Sequence, residues 1–548
     1  MKNLFRFVEF IPKSFVCFRE GYKKGILLND LFAGISVGVI ALPLALAFAI
    51  SSGVSPEKGL FTAIVAGFIV SLFGGSRVQI GGPTGAFVVI VYAVMQKHGY
   101  DGLALATLLA AVFLLAMGFF RFGALLKYIP YPVTVGFTSG IAVVIFSSQI
   151  KDFFGLGIAK VPPEFIDKWK MYFEYAPTGN LWAISIAAAT LLLIVILRKF
   201  YPKLPGAIIA VVFAASLAYF LQLPVETIES KFGGIPRILP TPTFPSFSFE
   251  MIRKVLPDAI VIALLGAIES LLSAVVADGM MGSRHKSNCE LVAQGLANIG
   301  SVIFGGIPAT GAIARTSANI KMGAKTPLAG MIHAVTLLLL MLFLAPFAAK
   351  IPLAALAAVL VFVAWNMSEA RHFIDIIKTH KGDSIVLVIT FLMTVFVDLS
   401  MAVLSGVFLA IIIFLKKVIE KTTIETCNLE TITLRLRKEI PSDVAIFEVK
   451  GPFFYGVTDL LDKAFVNLAP QPRVFILSIC NTPFIDTTAM RALKQFGHKC
   501  KQNGVLFLIS DTTEEHLDLF KKSKIDQVIG KEHIFDDIKN ALEFAKRS

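Results

Sequence analysis

Long apolar runs, each interrupted by a few polar or helix-breaking residues, recur from Leu31 to about Leu415. A run of roughly twenty apolar residues spans a hydrocarbon core as a helix, and shorter runs mark buried or interrupted segments. The pattern predicts crossings near 31–50, 59–74, 84–96, 102–120, 132–150, 180–197, 205–221, 256–277, 288–304, 311–320, 327–348, 352–366, 384–397 and 400–415. Those at 84–96 and 311–320 are short and follow Gly/Pro clusters, so both read as half-helices. From about Thr422 the texture changes. Short Val/Ile/Phe-rich runs (VAIFEVKG at 444–451, RVFILSIC at 473–480, VLFLISD at 505–511) alternate with amphipathic helix patterns such as TDLLDKAFVNL (458–468) and TAMRALKQFGHKC (488–500). That alternation predicts a small α/β domain rather than a disordered tail.

The two breaker clusters repeat one another. GGPTGAF (81–87) and GIPATGAI (306–313) align Thr84-Gly85-Ala86 with Thr310-Gly311-Ala312, an offset of 226 residues. The same offset pairs Gly53 with Gly279 and Pro43 with Glu269, and seven segments fall in each half. An odd number per half reverses the second half in the membrane, the inverted repeat of secondary transporters. In that architecture two interrupted helices meet near the midplane. Their free N–H groups and positive dipole ends would converge on an anion. Gly-rich helix packing produces a similar match without any site, and from pattern alone that reading stays open.

Composition narrows the class. The chain has 548 residues, 56% hydrophobic and 16% charged, with mean hydropathy +0.75. A soluble domain carries about a quarter charged residues, so this is a polytopic membrane protein. The net charge of +13 belongs to loops and gives no sign of nucleic-acid binding. With the N-terminus inside, the inner loops hold Arg77; Arg121 and Lys127; Arg198, Lys199 and Lys203; Arg284 and Lys286; Lys321 and Lys325; Arg371, Lys378 and Lys381. Lys416 and Lys417 follow the last crossing. The positive-inside rule therefore predicts that both termini are cytoplasmic. The N-terminal segment, 1–28, mixes aromatics with Lys/Arg, suits the inner membrane surface and shows no cleavage site. The boundaries expected are 29–421 for the transport domain, with repeats of about 29–223 and 255–421, and 422–548 for the C-terminal domain.

The five cysteines (Cys17, Cys289, Cys427, Cys480, Cys500) have no metal spacing. There is no Walker A motif and no nucleophile elbow, so nothing suggests an enzyme or a cofactor. The informative charges lie inside the membrane, where each costs about 2.5–3.5 kcal/mol on insertion scales. Glu269 sits mid-helix in LLGAIESLLSAVVADG, with Ser273 one turn on along the same face. Arg315 sits one turn into the second half-helix. Either the two form an ion pair that locks two helices, or Glu269 is a titratable coupling carboxylate while Arg315 adds positive charge to the anion site. His333 reads as a packed, hydrogen-bonded core histidine. Asp258, Asp278 and Asp398 read as interfacial, and Gln294 and Asn298 as polar glue between helices.

Over nearly its full length the chain resembles the SulP (sulfate permease, solute-carrier family 26) anion transporters. The resemblance rests on GGSRVQIGGPTGAFVVI (74–90), PVTVGFTSGIAV (132–143), LLGAIESLLSAVVADGM (264–280) and FGGIPATGAIARTSANIKMGAKTPLAG (304–330). VAWNMSEA (363–370) together with AIESLLSAVVADGM (267–280) looks closest to a bacterial branch that imports four-carbon dicarboxylates. The resemblance implies a bacterial inner-membrane protein with a seven-plus-seven inverted repeat, core and gate domains, elevator-like movement and a homodimer. It also implies a substrate site built from Pro43, Thr84, Gly85, Ala86, Glu269, Gly311, Ala312, Ile313 and Arg315. Glu269 and Ser273 match the family's coupling-ion positions. Sodium-coupled bicarbonate members end their Gly-Ala-Thr with a hydroxyl where this chain has Ile313; that loss favours protons, with sodium still open. Arg315 matches the arginine of a Ser/Ala-Arg-Ser/Thr pattern that the bicarbonate branch lacks.

The C-terminal domain resembles a STAS domain. FIDTTAMRAL (484–493) matches the segment whose hydroxyl is phosphorylated in anti-sigma-factor antagonists, which places Thr487 at that position with Asp486 beside it. Because Asp-Thr-Thr-Ala replaces the usual Asp-Ser-Ser-Gly, a regulatory or assembly surface for an unidentified cytoplasmic partner is expected rather than a phosphorylation switch. The functional expectation is proton-coupled uptake of a small dicarboxylate of the succinate or fumarate type. Sulfate or bicarbonate transport on the same fold is the alternative, followed by a STAS-centred signalling protein whose membrane part is only an anchor.

Overall fold

The computed structural model describes residues 9–548 except 22–23, 125–129, 160, 163, 202–203, 239, 245–247, 398, 427–439, 467 and 469. Lys127, Lys203, Asp398 and Cys427 lie outside the described residues. The chain forms two compact units, one ending at Phe408 and the other running from Leu409 to Ser548.

The first unit is helical. A short amphipathic α1 (Lys13–Glu20) precedes α2 (Lys24–Ser51) and α3 (Pro56–Phe73). Two residues of β1 (Gly81–Gly82) then lead into α4 (Gly85–Phe119). Gly99 interrupts α4 with the non-helical values φ 67° and ψ −170°, so the expected segments at 84–96 and 102–120 are two helical stretches joined at a kink. The following helices are α5 (Tyr131–Phe154), α6 (Phe165–Glu174), α7 (Leu181–Phe200), α8 (Gly206–Phe220) and α9 (Ile228–Phe232). Next come α10 (Phe249–Met281), α11 (Ser287–Ile303), β2 (Thr310–Gly311) and the nine-residue α12 (Ile313–Lys321). The unit finishes with α13 (Leu328–Ala349), α14 (Leu353–Met367), α15 (Ala370–Thr379), α16 (Lys381–Phe396) and most of the first half of α17 (Leu399–Lys421).

Among the described residues, nine helices are long and apolar enough to cross a membrane. They pack in two groups. Helices α2, α3 and α4 pack against α10 to α13, whereas α5 and α7 pack against α14, and α5 also against α16. Each group thus mixes elements from both halves of the sequence. Small residues permit close approach where lipid supplies no hydrophobic drive between helices. Ala41, Ala45 and Ala49 of α2 are almost completely enclosed.

The second unit opens with β3 (Thr423–Thr426), β4 (Val444–Lys450), α18 (Asp459–Val466) and β5 (Val474–Ser478). It continues with α19 (Thr487–Gln502), β6 (Leu506–Ser510), α20 (Glu514–Ser523), α21 (Ile525–Ile529) and α22 (Ile538–Arg547). The sheet runs β3-β4-β5-β6, with β3 antiparallel to β4 and the remaining pairs parallel. Phe465, Phe475, Phe496 and Phe507 stack in the core between the sheet and its helices. Strands β4, β5 and β6 fall within the three apolar runs that predicted them.

Candidate functional site

The two breaker clusters meet as a strand pair. Gly81 lies opposite Gly311 and Gly82 opposite Thr310, antiparallel. Three residues beyond Gly82 α4 starts at Gly85, and two beyond Gly311 α12 starts at Ile313. The Ala312 N–H donates to the Ile80 carbonyl (2.8 Å), and the Ile80 N–H donates to Thr316 Oγ1 (3.0 Å). Asn319 Nδ2 donates to the Val78 carbonyl at 2.9 Å. Two glycines make the junction possible. Gly82 has φ +142°, and a Cβ there would lie 2.8 Å from Arg315 Nη1; a Cβ on Gly311 would overlap the Gln79 amide.

Helix α10 is bonded to both clusters. Thr84 Oγ1 donates to Glu269 Oε2 at 2.8 Å, and Thr310 Oγ1 donates to the Gly266 carbonyl at 2.9 Å. Ser273 Oγ donates to Thr316 Oγ1 at 3.1 Å, and Gln79 Nε2 donates to Ser270 Oγ at 2.9 Å. Arg315 is buried, and its Nη2 donates to the Pro83 carbonyl while Nη1 has no partner. Among the described residues no ion pair joins Glu269 to Arg315. The locking pair, one of the two sequence expectations, is replaced by bonds from the two charges to adjacent residues, Pro83 and Thr84.

Thr84, Gly85, Ala86, Gly311, Ala312 and Pro43 are buried; Glu269 and Ile313 stay partly accessible and Ala314 is exposed. A Cβ on Gly85 would stand 2.7 Å from Ile145 Cδ1 and 3.3 Å from Met367 Sδ. Ile145 lies on α5 and Met367 on α14, so the start of α4 abuts the other helix group. Phe48, five residues beyond Pro43 on α2, reaches the same point. The first N–H groups of α4 and α12 have no intrahelical acceptor. Two positive helix ends, the partly accessible residue Glu269 and a buried guanidinium thus come together at this junction.

A second buried acid escaped sequence reasoning. Glu290 is fully enclosed. Its Oε2 accepts from the N–H groups of Gly75 (2.8 Å) and Ser76 (3.1 Å), and its Oε1 accepts from Gln294 Nε2 (3.2 Å) and Ser270 Oγ (3.4 Å). The signal was legible: Glu290, Gln294 and Asn298 recur every four residues as a polar stripe on an apolar helix. Asn298 is more than glue, because it accepts from the Ala309 N–H (2.8 Å) and donates to the Ala309 carbonyl (2.9 Å). It thereby clamps the loop that delivers β2.

Three further expectations have definite outcomes. His333 is buried, but neither ring nitrogen has a hydrogen-bond partner, which corrects the expectation of a bonded histidine. Asp278 accepts from the His285 N–H (2.9 Å) and Ser283 Oγ (3.1 Å) at the end of α10, and Asp258 lies 3.5 Å from His98. In the second unit Asp486 caps α19, accepting from the Ala489 N–H at 2.7 Å and the Tyr455 N–H at 3.1 Å, and Thr487 is exposed beside it. That aspartate is committed to backbone donors.

The model of the sulfate permease family matches residues 27–390, and that of the STAS domain matches residues 435–541. The chain is 41% identical to the "Putative sulfate transporter YvdB" of Bacillus subtilis, over 94% of this chain and 97% of that protein. It is 32% identical to the bicarbonate transporter BicA of Picosynechococcus, over 85% of each. Murine Solute Carrier 26 family member A9, solved in the inward-facing state, superposes with a TM-score of 0.87 over 99% of this chain and 95% of its own, at 19% identity; it speaks to the fold alone.

Proposed function

The chain belongs to the sulfate permease family and is an anion transporter with a STAS domain; on that premise we propose that it takes up a small dicarboxylate together with protons. The observation that carries this reading is the β1–β2 pair. It sets the starts of α4 and α12 against one another with Glu269 and Arg315 at their junction. Two helix ends offer a separate set of N–H donors to each carboxylate of a dicarboxylate, and Arg315 adds a fixed cation.

Protons fit the coupling role better than sodium. Ile313 brings no hydroxyl to the start of α12, where a sodium ligand would be wanted. Glu269 keeps one hydroxyl donor and partial access, so it can exchange a proton with water. Moving a dianion inward against a negative interior costs roughly 4.6 kcal/mol per 100 mV, twice the single-charge figure. Proton entry offsets that cost. One carboxyl carries one proton, so import of a singly protonated substrate is the simpler scheme. The seven-plus-seven inverted repeat, the homodimer, the elevator-like movement and the cytoplasmic termini belong to the same reading. The placement of α4 against both helix groups supports the elevator, and the loop cations support the orientation.

A second reading keeps the site and changes the cargo to sulfate or bicarbonate, on the strength of the relatives' names. Purified protein in liposomes separates the two. Labelled succinate, sulfate and bicarbonate are offered under imposed pH or Na⁺ gradients. Succinate accumulation driven by an inward proton gradient is the expected result. Sulfate uptake without succinate uptake overturns the cargo, and succinate uptake driven by Na⁺ and indifferent to pH overturns the coupling.

A further inference from the structure

A cavity of about 740 Å³ opens at the end of the first unit where α5 leads into α6. Lys168 and Tyr172 sit one turn apart on the same face of α6, and both line it. They are only 6% and 4% exposed. The Tyr172 hydroxyl has no hydrogen-bond partner, and among the described residues the Lys168 ammonium has neither a hydrogen bond nor an ion pair. Lys151 of α5, only partly buried, lines the same space and among the described residues makes no ion pair; Asp152, Glu164 and Asp258 line it too. Lys231, by contrast, is matched by Asp152 and Glu226, each at 3.4 Å. A buried ammonium without a partner and an idle phenol one turn away on the same cavity wall are costly unless something of opposite charge enters.

The arrangement is held in place rather than loosely exposed. Trp169 Nε1 donates to Ser147 Oγ at 3.1 Å, the Trp169 and Tyr172 rings lie edge to face at 6.0 Å, and Tyr92 donates to the Val161 carbonyl at 2.6 Å. Val88 and Ile90 also line the cavity. Val88 lies about 5 Å along the helix from the start of α4.

The geometry points to a second anion site here, distinct from the one at Glu269 and Arg315: a carboxylate or other small oxyanion at the Lys168 ammonium, accepting the Tyr172 O–H. As a waiting position for transported cargo the site rests on the proposed transport; as a binding site it stands independently. The donors suit both an organic carboxylate and inorganic sulfate, so the test carries both.

The chain has three tryptophans, and Trp182→Phe with Trp365→Phe leaves Trp169 as the reporter beside the cavity. Full-length protein in nanodiscs is titrated with succinate and, separately, with sulfate at neutral pH while Trp169 emission is followed. At least one anion is expected to give a saturable change. Lys168→Met should weaken its apparent affinity by about tenfold or more and Tyr172→Phe by a few-fold, while Lys168→Arg retains it. Arg315→Gln is expected to leave the Trp169 signal in place, which separates this site from the transport site. Size-exclusion profiles and melting curves check each variant's fold; if Lys168→Met misfolds, Tyr172→Phe and Lys168→Arg carry the test. The proposal is overturned if neither anion gives a saturable signal, if the folded Lys168→Met or Tyr172→Phe protein binds as before, or if Arg315→Gln abolishes the change.

Discussion

Glu269 and Glu290 are two acids of one helix group, yet their surroundings assign them opposite duties. Glu290 is fully enclosed and meets four donors, two of them backbone N–H groups from the segment that leads into β1. Glu269 meets one donor, the Thr84 hydroxyl, and keeps an accessible face. A carboxylate whose lone pairs are all taken holds its neighbours in place. A carboxyl with spare capacity can change partners or protonation during a cycle. Burial alone therefore does not mark the functional acid; the number of donors already committed to it does.

The comparison breaks most directly at Glu269. Glu269→Gln keeps an oxygen for Thr84 but cannot exchange a proton, so proton-driven accumulation in liposomes should collapse to simple equilibration. Full accumulation by this variant would reduce Glu269 to a structural acid. Glu290→Gln should do the reverse. Its amide N–H₂ must face donors, and lost charge-assisted bonds cost about 1.5–3 kcal/mol each. A lower melting temperature and yield are expected, with the coupling of the folded fraction unchanged. A stable Glu290→Gln protein that has lost coupling would erase the distinction between the two acids.

A smaller effect tests the cation that faces Glu269 across Pro83 and Thr84. Arg315→Gln removes the charge and the bond to Pro83, and should raise KM for the transported anion by about tenfold, the loss of one charge-assisted contact. The maximal rate should change less. An unaltered KM would mean that Arg315 serves only to brace the β1–β2 junction.

Much of this was legible in the chain. The breaker clusters, the half-helix starts and the change of texture near Thr422 follow from hydropathy period and from Gly/Pro placement, which act locally. Glu269 and Arg315 stood out because a membrane makes charge conspicuous. What local pattern cannot give is pairing: whether Arg315 turns to Glu269 or to the Pro83 carbonyl depends on backbone that lies more than 200 residues away. Glu290 was missed for a different reason. Near a predicted segment end a carboxylate looks interfacial, and only the i, i+4 stripe with Gln294 and Asn298 reveals a buried face. His333 shows the converse error, since apolar context predicts burial correctly but says nothing about partners.

The mildest effect concerns Lys168, a buried charge with free capacity like Glu269 but of opposite sign. Burial pushes its ammonium down to about 8, with Glu164 opposing the shift. Lys97, Lys151, Lys231, Asp152 and Asp258 also line the cavity. The sign is fixed by which form binds: the ammonium attracts an anion and the neutral amine does not. Anion affinity reported by Trp169 should therefore be full below about pH 8 and decline as pH rises through it. Bound anion moves the midpoint upward, because it favours the charged form. Lys168→Arg, whose guanidinium stays protonated in this range, should flatten the decline. A decline that persists unchanged in Lys168→Arg would place the titrating group elsewhere in the cavity.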